Sequence, residues 1–92
     1  MVSGLAVKDD TLYVADTGNN KVRIVSLSTN EVGTLELAVF HNPEALAVFH
    51  NTLYVGDSQR IVAIDLETNE VSTVATGIHA ADLAIMGDAL YI

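Results

Sequence analysis

The chain has 92 residues, with 4 basic against 12 acidic side chains and a formal net charge of −8, so a nucleic-acid polyanion or an anionic membrane would meet a repelling field. It has no cysteine, which removes disulfides and thiol exchange, and no apolar run approaches a membrane span or follows the layout of a signal peptide. Half of the residues are nevertheless hydrophobic, and that apolar surface has to be buried somewhere.

In chain order, Leu5-Ala6-Val7 reads as a first short strand and, after the polar Lys8-Asp9-Asp10 turn, Leu12-Tyr13-Val14-Ala15 as a second. Asp16-Thr17-Gly18-Asn19-Asn20 is a loop of residues that tolerate positive φ or bond their own backbone. Lys21–Leu27 then alternates, with Val22, Ile24 and Ser26 on one face and Lys21 and Arg23 on the opposite, solvent-directed one. Ser28-Thr29-Asn30-Glu31 turns the chain into a fourth strand, Val32–Leu37. The plan then repeats as Leu46–Val48, Leu53–Val55, Arg60–Leu66 and Val71–Ala75, with two residues lost from the loop at Gly56-Asp57-Ser58-Gln59. It starts a third time at Asp82-Leu83-Ala84-Ile85 and stops in a second strand at Tyr91-Ile92. No segment carries the 3.6-residue apolar period of a helix, and the single proline, Pro43, falls in a connection.

Leu5 recurs as Leu46, 41 residues on, and as Leu83 after a further 37; Tyr13 recurs as Tyr54 and Tyr91. A period near 40 built of four short strands predicts an all-β fold of β-propeller blades, each a four-stranded antiparallel sheet. The expected units are a first blade over 1–42, a second over 43–80, and over 81–92 the first hairpin of a third. One such sheet cannot bury both faces alone, so neighbouring units must stack, and the recurring tyrosines are expected between blades. Propellers close with typically four to eight blades. Two and a quarter therefore call for other copies of the chain or for the rest of a larger propeller, the alternative being a fragment or designed chain with no function of its own.

Candidate chemistry is sparse. His41 and His79 occupy matching points of successive inter-blade connections, with Glu44 and Asp82 close behind, a set of imidazoles and carboxylates able to ligate one axial metal. His50 falls in a hairpin turn and is expected to be an ordinary surface histidine. The Asp16–Asn20 loop fails the calcium-binding pattern, since its third position is glycine and its twelfth, Leu27, is not a bidentate glutamate. Asp16 and Asp57 are instead expected to accept backbone N–H groups and tighten their loops. There is no nucleophile elbow, no phosphate-binding glycine loop and no His-Glu-x-x-His.

LAVKDDTLYVADTGNNKVRIVSLSTNEVGTL, Leu5–Leu35, resembles an NHL repeat, with its GLAV strand, its LYVADTGN stretch and the turn before the last strand. The resemblance is greatest to the propellers of thioredoxin-like proteins that carry NHL repeats, and it is looser over Pro43–Thr76. It implies a rigid disc that presents loops at its top face to a protein or small ligand, without catalysis and without cofactor. It also implies an alternative, since amidating lyases and lactone hydrolases of this architecture hold zinc or calcium in the channel. His41, His79, Glu44 and Asp82 are the residues that would serve such a site, with Asn42 as a further oxygen donor. No signal peptide or transmembrane segment is seen, so the sequence leaves the location open, with the cytoplasm favoured.

Overall fold

The computed structural model describes residues 2–36, 39–77, 84–86 and 89–91, the last two stretches as backbone. Alternating side chains and tight polar turns fold the first repeat into a meander of β1 (Val2–Lys8), β2 (Thr11–Asp16), β3 (Lys21–Ser26) and β4 (Val32–Thr34). The second repeat gives the same antiparallel order from β5 (Ala45–Phe49), β6 (Thr52–Gly56), β7 (Arg60–Asp65) and β8 (Val71–Thr76). A third sheet has begun with the hairpin β9 (Ala84–Met86) and β10 (Ala89–Tyr91). The strands fall where the alternation places them, save that β4 is three residues long; Leu35 continues its ladder with one bond, from its N–H to the Val22 carbonyl (2.8 Å). Thr17–Asn19 forms a single 3₁₀ turn, and among the described residues it is the only helical segment.

The turns repeat as closely as the strands. Asn30 and Asn69 both take the left-handed conformation (φ 61° and 64°), and each donates its N–H 2.7 Å to the carbonyl four residues back, Ser26 and Asp65. Asparagine tolerates this region better than other side chains except glycine, so Thr29-Asn30-Glu31 and Thr68-Asn69-Glu70 encode one turn twice.

Register decides which residues share a face. Ala6 pairs with Tyr13 and Tyr13 with Ile24, while Ala15 pairs with Val22, so these five side chains lie on one side of the first sheet. Across from them the second sheet presents Leu46, Leu53, Val55, Val62 and Ile64, and Phe40 from the connection closes the edge of the same core. Tyr13 is buried between the sheets, the place its recurrence predicts.

The innermost strands, β1 and β5, approach most closely. A Cβ placed on Gly4 would lie 2.6 Å from the Glu44 carbonyl oxygen and 3.4 Å from the Ala45 Cα, both backbone atoms that cannot swing aside. Small residues on β1, Gly4 and Ala6, thus let the two sheets converge at the inner edge, while Tyr13 and Ile24 fill the wider space outside. Gly4→Ala is expected to destabilise the fold by about 1–3 kcal/mol through overpacking. A thermal melt identical to that of the unchanged chain would show that β1 and β5 are not held this close.

Candidate functional site

Three chain segments meet at one end of the sheets: the β2–β3 loop, the β4–β5 connection and the β6–β7 loop. Thr17 Oγ1 donates to the Pro43 carbonyl at 2.7 Å in a buried bond, and the Asn42 N–H donates to Asn20 Oδ1 at 2.8 Å. From the other side Asp57, fully buried, accepts the His41 N–H (3.1 Å) and the N–H groups of Gln59 and Arg60 (2.9 Å each). Ser58 completes the grip, its N–H and hydroxyl both donating to the His41 carbonyl at 2.9 Å. Arg60 lies over the same connection, with Nη2 on the Val39 carbonyl (2.6 Å) and Nε 3.7 Å from the Asp57 carboxylate.

Asp57 makes the backbone-accepting loop expected of it and also reaches sixteen residues back to His41. Asp16 differs. It makes no side-chain cap to the 3₁₀ turn, and its Oδ2 accepts instead from Asn19 Nδ2 (2.9 Å) and Arg23 Nε (3.1 Å). The bond from Asn19 and then that from Arg23 hold the Asp16 carboxyl below its usual range; the Ser28 hydroxyl does the same for Asp10 at the other end of the sheet. Tyr13 is pushed the other way, its phenol raised by burial.

Of the residues expected to bind metal, His41 is exposed, held through its backbone, and Glu44 is half-buried with its N–H on the Gly56 carbonyl (2.9 Å). His79 and Asp82 lie outside the described residues. Among the described residues no three His, Cys, Asp or Glu side chains gather as a ligand set, so a zinc or calcium ion would need those two. Among the described residues the Asn42 side chain has no such cluster to join, and its backbone serves the Asn20 contact. His41 lines a cavity of about 370 Å³ with Lys21, Leu35, Glu36 and Phe40. His50 caps its hairpin turn in the left-handed region (φ 52°), edge-on to Phe49, as a surface residue.

The second candidate surface was not legible as a site. The outer face of the first sheet carries Leu5, Val7, Leu12, Val14, Val25 and Val32, of which Leu5, Val7 and Val32 are 61%, 58% and 69% exposed. Four of their counterparts in the second sheet, Leu46, Leu53, Val55 and Ile64, are buried against the first, whereas Val71, the counterpart of Val32, is exposed. Arg23 lies on this face, where Val62 stands in the second sheet, and is tied to Asp16 and to Thr34 Oγ1 (2.8 Å). Lys21 is exposed and Arg23 half-buried on this open face, where the expected solvent-directed pair sits among apolar side chains. Comparing repeat with repeat at Arg23 and Val62 would have given the signal.

Stacked four-stranded antiparallel meanders, with a third begun beside them, define the chain as a β-propeller segment. Its repeats are of the NHL type, the NHL repeat family model matching residues 1–25. The chain is similar to NHL repeat-containing protein 2 of Homo sapiens, 32% identical over 79% of this chain, and it spans 12% of the length of that relative. Among solved structures it is similar to a chain of Kuenenia stuttgartiensis hydrazine synthase (TM-score 0.76, 24% identity, covering 92% of this chain and 26% of that one). It is also similar to a chain in the S. cerevisiae complex of a Dbp5 variant with Nup159, a Gle1 variant, IP6 and ADP (TM-score 0.66, 20% identity, covering 89% and 21%). At these identities the structural likeness establishes the fold. Among the described residues no helix is long and apolar enough to cross a membrane.

Asp57→Ala is expected to cost about 1–3 kcal/mol, because it leaves the N–H groups of His41, Gln59 and Arg60 without the carboxylate they donate to. An unchanged denaturation midpoint would refute the role. The depressed carboxyls of Asp16 and Asp10 favour the folded state above the ordinary carboxylate range, and that contribution is lost as pH falls through their lower folded values. Melting temperature should therefore drop on acidification below about pH 4, and drop less in Asp16→Asn; equal acid sensitivity of the two proteins would count against the Arg23 and Asn19 contacts.

Proposed function

We propose that this propeller segment is a non-catalytic interaction and assembly scaffold. One observation carries the reading: an apolar sheet face that the second repeat buries is left open by the first, so the molecule is built to be covered. The loop end supports it. There the side chains of Asp57, Arg60 and Thr17 are engaged in holding the inter-blade connection, and a rigidly held loop surface is what a binding disc presents. The similar chain from S. cerevisiae belongs to a multi-protein complex, in keeping with propellers as platforms for partners. Partners of this class are other copies, the rest of a larger propeller, or a protein or small ligand at the loop end.

The competing reading, a metal-dependent hydrolase or lyase, rests on His41, His79, Glu44 and Asp82. Elemental analysis of purified protein separates the two. The scaffold reading expects no stoichiometric zinc or calcium and a melting curve unmoved by a chelator. One equivalent of metal that disappears in the His41→Ala, His79→Ala double variant would overturn it.

A further inference from the structure

A cavity of about 370 Å³ opens at the loop end, at a place where the two repeats differ. In the first sheet Arg23 pairs with Thr34 and the Leu35 N–H bonds to the Val22 carbonyl, so one further step of the ladder would set Glu36 opposite Lys21. That step is not taken: β4 ends at Thr34, and among the described residues Lys21 and Glu36 form no ion pair. The second sheet does take it. A bulge at Val74 carries β8 past this level, Arg60 pairs with Thr76, and the Gly77 N–H reaches the Gln59 carbonyl at 2.9 Å. The cavity lies in the gap that the first sheet leaves, with Lys21 and Glu36 on its walls and the buried side chains of Leu35 and Phe40 as its floor.

The polar groups around that cavity are left over from the fold. Lys8, Arg23 and Arg60 each have a carboxylate within 3.7 Å, whereas Lys21 is exposed and, among the described residues, outside any ion pair. Asn20 has its Oδ1 taken by the Asn42 N–H, which leaves its amide nitrogen to donate, and Thr34 accepts from Arg23 while keeping its own hydroxyl proton. Beside the His41 imidazole, the cavity thus offers three side-chain donors, one of them charged, and one carboxylate. The geometry points to a zwitterionic α-amino acid with an apolar side chain as its occupant, an inference that rests on the scaffold reading above and names a small ligand for its loop end. The ligand carboxylate takes Lys21 and the neighbouring donors, its ammonium takes Glu36, and its side chain lies on Leu35 and Phe40. It bridges the two charges that the interrupted ladder leaves apart. The size agrees, since ligand pockets run from roughly 300 to 1,000 Å³ and this one is near the lower limit. The charge agrees as well: a net anion would approach against the field of a chain carrying −8, and a zwitterion does not.

The test is calorimetric titration of the full chain with leucine and with two analogues that each lack one charge, isocaproate and leucinamide. Leucine is expected to bind saturably at one site per chain, and each analogue about tenfold more weakly, the loss of one charge-assisted hydrogen bond. Lys21→Gln should weaken leucine and isocaproate about tenfold and leave leucinamide unchanged; Glu36→Gln should weaken leucine and leucinamide by as much and leave isocaproate unchanged. Both positions are exposed, so each variant is expected to keep the far-ultraviolet spectrum and melting curve of the parent. Absence of saturable leucine binding into the millimolar range, or a leucine affinity indifferent to both variants, would overturn the site. An analogue that binds as tightly as leucine would overturn the zwitterion, since one charge would then suffice. A metal-free chain that does not bind leucine loses this site and keeps the scaffold reading; stoichiometric metal removes that reading, and the titration still decides the cavity.

Discussion

A strand whose two faces are both apolar cannot be satisfied by one layer of packing, and everything else in this molecule follows from that constraint. In β2, Leu12 and Val14 point one way and Tyr13 and Ala15 the other. An antiparallel meander with a single apolar face can float on one core with its polar side in water. This one needs a neighbour on each side, which is why the repeat and the fold cannot be separated: the second copy of the sequence is the solvent that the first requires.

The geometry of stacking then selects residue size by distance from the inner edge. Where β1 and β5 converge, the first sheet offers Gly4 and Ala6, and the Glu44 carbonyl occupies the space a larger residue would claim. Further out the sheets diverge and the side chains grow to Tyr13 and Ile24 against Leu53 and Ile64. The loops secure the angle so defined. Thr17 and Asn20 hold the connection from the first sheet, and Asp57 and Ser58 hold it from the second, so both blades grip one backbone segment, 41–43. A peptide strand held on both sides has little freedom to let the blades hinge.

The fold was legible because its signals are local. Alternation places each strand, Thr-Asn-Glu writes the same turn twice, and the recurrence of Tyr13 and Tyr54 ties the two repeats into one register. What stayed hidden was relational. Asp57 and His41 are sixteen residues apart, and nothing in the short Gly56-Asp57-Ser58-Gln59 loop names the N–H it will accept. The length of β4 depended on where the chain leaves the sheet after Thr34, an outcome of the connection and not of strand propensity. Lys21 and Arg23 looked like a wetted edge because charge at alternate positions usually marks one. Only the pairing of Arg23 with Asp16 and Thr34 shows how its guanidinium is held among the apolar side chains of that open face. The candidate metal set was legible as residue types at matching positions, but its convergence depends on His79 and Asp82, which lie outside the described residues.

Arg23 also explains how repeats this alike can remain distinguishable. If both sheets carried valine at that position, their packing faces would be interchangeable and any face could take any mate. A guanidinium bonded to Asp16 and Thr34 keeps further N–H donors on this face, where the second sheet has the apolar Val62, so one apolar mate would not suit both faces equally. A repeat array whose faces differ in this way has a physical basis for stacking its blades in one order and not as a mixture.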